Sequence, residues 1–291
     1  MKHAILIYAH NEPPVLATLL HLLDHPRVDL FLHIDARNPD LRSAAAVTLR
    51  SAQLHWVTPS EVAWGDYSQV EAELRLFEAA RQHDNYAHYH LLSGVDLPIK
   101  PIDEILRFFD AHPDREFLGF WETPDHLRDV ERRTQRYYLF TRYLKRRPYR
   151  WRHRLTVPIR NLSLVAQKVV GYRRYAQRQF FKGFNWCSLT QACVDYLLAE
   201  RTQIRRIYRH MLAPDEIYKQ TLIALSPFAD RLFDRTDPER GIMRRIDWER
   251  GRPYVWQADD LPELLASPYL FARKMSAECA LALAQHFSTT H

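Results

Sequence analysis

The sequence predicts an α/β fold built on a mostly parallel, doubly wound sheet, and three observations carry that reading. Short apolar runs bounded by polar residues, HAILIYA at 3–9 and VDLFLHID at 28–35, have the character of strands buried on both faces. Segments of helical apolar spacing, at 15–23 and 68–82, lie between such runs. Strand and helix then alternate through the first 120 residues, as a parallel sheet with crossover helices requires.

Taken in order, the first strand stops at His10-Asn11-Glu12-Pro13-Pro14, ahead of the helix 15–23. The second strand ends on Asp35. A third is expected at 53–57, and the helix 68–82 sets Val70, Leu74 and Phe77 on one face. Residues 87–92 make a fourth strand that runs into Ser93-Gly94-Val95-Asp96. Pro101 is expected to open a helix reaching Ala111, since proline suits the first helical position. Residues 116–121 are again strand-like. The second half is less regular, with a strand at 184–190, a helix at 191–200, and Pro214-Asp215-Glu216 opening a helix to about residue 225. Ligands of such sheets sit beyond the carboxyl ends of the strands, which gathers residues 8–11, 35–37 and 93–96 around one crevice.

Composition narrows the chemistry. Glycine is scarce at 7 of 291 residues, and neither G-x-G-x-x-G nor G-x-x-x-x-G-K-[ST] occurs. Three cysteines cannot form a disulfide framework, so buried reduced thiols and a cytoplasmic setting are expected. The apolar run 4–9 is too short for a secretory h-region, and no run reaches the ~18 apolar residues of a membrane span. The net charge of +6 is uneven. Residues 128–182 hold 17 of the 41 Lys and Arg against two acids, Asp129 and Glu131.

Glu216 is the foremost catalytic candidate. A carboxylate in the first turn of a helix can take the proton of an attacking hydroxyl, or it can simply cap that helix together with Asp215. Asp35 and Asp96, each at a strand end, suit ligand binding or the closing of a turn. No D-x-D pair exists and the histidines are scattered, so no metal is expected. A departing diphosphate would then need cations, for which Arg252 and Lys274 are candidates. The basic segment interleaves aromatics with arginines and suits nucleic acid, an anionic glycan or an anionic lipid surface. Residues 159–170 (IRNLSLVAQKVV) have the amphipathic pattern of an interfacial helix.

Several blocks in one order resemble a known family. AHNEP at 9–13, WGDYSQVEAEL at 64–74, YHLLSGVDLPIKP at 89–101, GFNWCSLT at 183–190, APDEIYKQTL at 213–222 and LFARKMS at 270–276 are similar to the core-2/I-branching β-1,6-N-acetylglucosaminyltransferases and the peptide O-xylosyltransferases. The resemblance implies a GT-A-like fold and metal-free, inverting transfer of GlcNAc or xylose from a UDP-sugar, GlcNAc being favoured. No cofactor is implied beyond the donor. It implies Glu216 as general base, Arg252 and Lys274 on the UDP phosphates, and His10, Asp35 and Asp96 at the nucleotide-sugar. Trp186, Trp248 and Asp215 would line the acceptor or sugar pocket. Cys187 stands where the family has a second tryptophan.

The expected organisation is one catalytic domain over 1–291. It comprises a nucleotide-sugar half at 1–125, a basic helical insertion at 126–182 and an acceptor half at 183–291. The expected acceptor is a glycan or lipid-linked glycan of a bacterial surface, with peripheral contact to an anionic membrane through 140–182. The rival reading is a non-catalytic protein that binds nucleic acid or anionic glycan through 128–182, with nucleic acid the weaker of the two.

Overall fold

The computed structural model describes residues 1–145, 150–251 and 253–289. Its main sheet has six strands in the order β3-β2-β1-β4-β7-β6. These are β1 (His3–Ala9), β2 (Val28–Asp35), β3 (Gln53–Ser60), β4 (His88–Ser93), β6 (Phe117–Leu118) and β7 (Cys187–Thr190). A second sheet, of order β5-β9-β8, combines β5 (Leu97–Pro98), β8 (Arg244–Ile246) and β9 (Phe271–Arg273). The class is therefore the expected α/β arrangement, a central, mostly parallel sheet flanked by helices.

The strands form where apolar residues run without a break. Every residue of β1, β2 and β4 is buried, because helices cover both faces. β1 pairs in parallel with β2 and β4, and β2 with β3. One apolar core, containing Leu6, Phe77 and Tyr218, lies on one side of the sheet. The other, containing Ile7, Leu20, Phe109 and Phe271, lies opposite.

Three local expectations are corrected. Pro13 and Pro14 do not precede the first helix but start it, since a proline's missing N–H has no partner in a first turn anyway. Pro101 is the residue before its helix, Ile102–Asp110. The strand-like stretch 116–121 contributes only Phe117 and Leu118. Both it and β4 pair antiparallel with β7, so the sheet is mixed at that edge.

Among the described residues the basic segment contains the helices Pro124–Thr134 and Arg150–Val169. Cys187, Cys193 and Cys279 are free and buried. Among the described residues, no helix is long and apolar enough to cross a membrane.

Candidate active site

The ends of β1, β4 and β9 converge as the sheet rule requires. Gly94 N–H donates to the Tyr8 carbonyl at 3.2 Å, and Met275 N–H to the Val95 carbonyl at 3.0 Å. His10 stands in the field of Asp35, Lys274, Lys145 and Arg273. Lys274 feels Arg273, Asp96 and Lys145. Burial and then the neighbouring Arg273 push the Lys274 ammonium below its usual range, against the opposing pull of Asp96. Lys145, Arg273 and Lys274 thus form a cationic group at the crevice.

The two strand-end acids serve turns and cations. Asp35 accepts from the Arg37 backbone N at 3.0 Å and from Arg37 Nε at 2.9 Å, with Nη2 on its second oxygen. Burial raises its carboxyl, but these bonds prevail and hold it below the usual range. Asp96 is fully buried and accepts from Ser93 N at 2.9 Å and Ser93 Oγ at 2.6 Å. Its other neighbour is Arg273 Nε at 3.5 Å. Both carboxylates are therefore already engaged within the protein.

Aromatic rings join this crevice to the acidic side. The Arg273 guanidinium lies 4.1 Å from the centroid of the Trp186 ring. Trp186 stacks on Tyr8 at 5.5 Å, and the Tyr8 hydroxyl accepts from Asn185 Nδ2 at 3.1 Å. Tyr8 in turn neighbours Glu73 and Asp215.

Asp215 and Glu216 do not begin an α-helix as expected. Pro214–Glu216 is a separate 3₁₀ turn, and Ile217, with φ of −125°, breaks the chain before helix Tyr218–Ala224. The two neighbouring acids consequently differ in environment. Asp215 is buried; its Oδ2 accepts from Gln69 Nε2 at 3.1 Å, while Oδ1 has no partner. Burial, then Glu216 and Glu73, push its carboxyl up to about 8, so it holds a proton at neutral pH. Behind it, Glu73 is paired with buried Lys219 and accepts from Tyr218 Oη at 2.9 Å.

Glu216 is part-exposed. It accepts from Arg133 Nη1 at 2.7 Å, with Lys182 Nζ at 3.6 Å. Lys182 also bonds Asp129 at 2.8 Å and lies 4.8 Å from the Trp121 ring. Trp121 and Phe184 both contact Trp248, each at 6.5 Å between centroids, and Trp248 is exposed. Gly183 N–H donates to the Glu216 carbonyl at 3.0 Å. A Cβ on Gly183 would fall 1.8 Å from the Gly119 carbonyl oxygen, so only glycine lets these segments approach. The resulting line runs from Lys145 and Lys274 through Arg273, Trp186, Tyr8 and Asp215 to Glu216, with Trp121 and Trp248 beyond.

The family model described as "Core-2/I-Branching enzyme" matches residues 4–261. This chain belongs to the core-2/I-branching enzyme family. Xylosyltransferase 2 of Bos taurus is 24% identical over 282 residues, which cover 90% of this chain and 30% of that protein. Xylosyltransferase 1 of Homo sapiens is 23% identical over 268 residues, covering 85% and 26%. The chain thus spans less than a third of these relatives. The apo structure of mouse xyloside xylosyltransferase 1 matches with a TM-score of 0.40 and 13% identity, covering 93% of this chain and 96% of that one.

In this core-2/I-branching family member, His10, Lys274, Trp186, Asp215 and Glu216 fall on or beside one continuous line. Arg252 lies outside the described residues. Sequence reasoning missed Lys145 and Arg273 at the crevice, and Arg133 and Lys182 on Glu216. The signal for all but Arg273 was the basic segment itself, which reaches into the site rather than standing apart from it. A group of possible metal ligands, Asp29, His55 and His83, lies within 4.8 Å of one another but at the opposite end of the sheet. There Asp29 already bonds Lys2 Nζ at 3.0 Å and Tyr86 Oη at 2.8 Å.

Proposed function

We propose that this chain is a glycosyltransferase that moves a sugar from a UDP-sugar to an acceptor hydroxyl with inversion and without a metal. The observation that carries this reading is the division of labour along the site. A cluster of three cations stands at the strand ends, and a part-exposed carboxylate, Glu216, stands beyond Tyr8 and Trp186. Inversion needs that separation, because the acceptor oxygen attacks the anomeric carbon on the face opposite the departing diphosphate.

In this mechanism Glu216 Oε accepts the acceptor's hydroxyl proton as the new C–O bond forms. The bond from the anomeric carbon to the UDP oxygen breaks, and its electron pair leaves with UDP. Lys274, Arg273 and Lys145 stabilise the growing phosphate charge. Asp96, closed off from solvent, acts by orienting Arg273, and Asp35 by closing the turn beneath His10. Asp215, protonated and with one oxygen unpartnered, is suited to a sugar hydroxyl. Trp121 and Trp248 would stack on the acceptor.

The favoured donor is UDP-GlcNAc, and UDP-xylose is the second candidate because the relatives above are xylosyltransferases. A bacterial surface glycan is the acceptor class that this reading favours. The test is Glu216→Gln assayed against both donors. Transfer should fall about 10²- to 10⁴-fold with UDP affinity kept. Near-normal transfer by that variant would remove Glu216 from the role.

A further inference from the structure

The helix Arg150–Val169 carries its side chains the opposite way round from an ordinary surface helix. At 100° per residue, Trp151, Leu155, Ile159, Leu162, Val165 and Val169 fall on one face. That face points into solvent: Trp151 is 65% exposed, Leu162 71% and Val169 79%. The helix buries none of its side chains. The face turned to the body is polar at both ends. His153 Nδ1 lies 2.9 Å from the Tyr143 carbonyl. Gln167 accepts from the Tyr137 N–H at 2.8 Å and donates to the Tyr137 carbonyl at 3.0 Å. A globular protein normally does the reverse, with the apolar stripe inward. A helix of 20 residues is about 30 Å long, so this is an extended apolar strip.

Charge says what covers it. Arg150, Arg154 and Lys168 flank the strip on one side and Arg152 on the other, and the chain carries no acid from residue 132 to residue 194. Two copies of the helix packed strip to strip would set these cations against one another with no counter-charge. An anionic lipid surface supplies both the apolar layer and the charge. We propose that the helix Arg150–Val169 lies in the interface of an anionic bilayer and seats the protein there. Lys145, whose charge acts on His10 at the crevice, lies five residues before Arg150 in the sequence, so the bound helix and the diphosphate crevice share one stretch of chain.

The test is flotation of the intact protein with phosphatidylcholine vesicles, with and without phosphatidylglycerol, at low and high salt. Binding should require the anionic lipid and weaken with salt. Leu155→Ser/Leu162→Ser should lower the bound fraction at least about tenfold, with an unchanged melting temperature, because both residues are exposed. Trp151→Phe should remove the vesicle-induced blue shift in fluorescence. No flotation with anionic vesicles at low salt would overturn the proposal. So would equal binding to neutral vesicles, or a dimer in sedimentation that the double variant dissolves, which would assign the strip to a second copy.

Discussion

Arg133 Nη1 meets Glu216 Oε2 at 2.7 Å, so the carboxylate proposed as base is held by a side chain from the basic segment. Arg133 touches no reacting atom in the proposed mechanism and acts as a positioning residue. Arg133→Met should lower kcat by about one order of magnitude or more, because sub-ångström misplacement of a base is costly, while the donor KM stays near wild type. Arg133→Lys should recover part of the loss. A rise in donor KM with kcat unchanged would show that Arg133 serves the nucleotide instead.

If side-chain cations alone meet the diphosphate, transfer should persist in excess EDTA. Lys274→Ala should then reduce kcat/KM by about 10²-fold or more, comparable with the loss of one oxyanion-stabilising donor. A strict requirement for Mn²⁺ or Mg²⁺ in the same assay would contradict the metal-free mechanism.

The buried histidines set an acid limit on stability. His3, His33 and His88 are fully buried, and burial is the main cause that lowers each to about 4. Between pH 6.5 and 4 the unfolded chain binds protons at these rings that the folded chain refuses. Stability therefore falls with falling pH across that window, by up to about 1.4 kcal/mol per pH unit for each ring. Urea midpoints measured at half-unit intervals should drop steeply below pH 6.5, and His88→Gln should flatten the slope. A flat profile to pH 5 would count against neutral burial of the three.

Asp215 has the opposite sign. Its folded carboxyl titrates near 8 and its unfolded one near 3.8, so folding takes up a proton between those values. Stability owed to this group is highest in acid and is lost as pH rises towards 8. Together with the histidines this places the optimum near pH 6 to 7. Asp215→Asn should remove the decline above pH 6.5, read by thermal unfolding at pH 6.5 and 8.5. If the variant and wild type lose the same stability between pH 6.5 and 8.5, the decline does not belong to Asp215 and the assignment fails.

The long elements were legible because their periodicity is their cause. β1, β2 and β4 are buried on both faces, so they read as unbroken apolar runs. β6 and β7, of two and four residues, are too short to carry a period, and strand direction leaves no mark on composition. The break at Ile217 was hidden because Pro214-Asp215-Glu216 is also a sound helix start. At the site, single acids and PDE could be picked out from residue type. Arg273 could not, since what defines it is Trp186, 87 positions away in the chain. Lys145, Arg133 and Lys182 were masked by the density of charge around them.

The interleaving of β7 between β4 and β6 has a consequence for how the chain is made. On the ribosome β4 emerges early, yet the strand that covers its open edge ends only at Thr190, nearly 100 residues later. During that delay the backbone groups of β4 face water, or any other nascent chain that offers a strand. A product stopped before Cys187 keeps this edge permanently and should be aggregation-prone, whereas one that extends past Thr190 can close it.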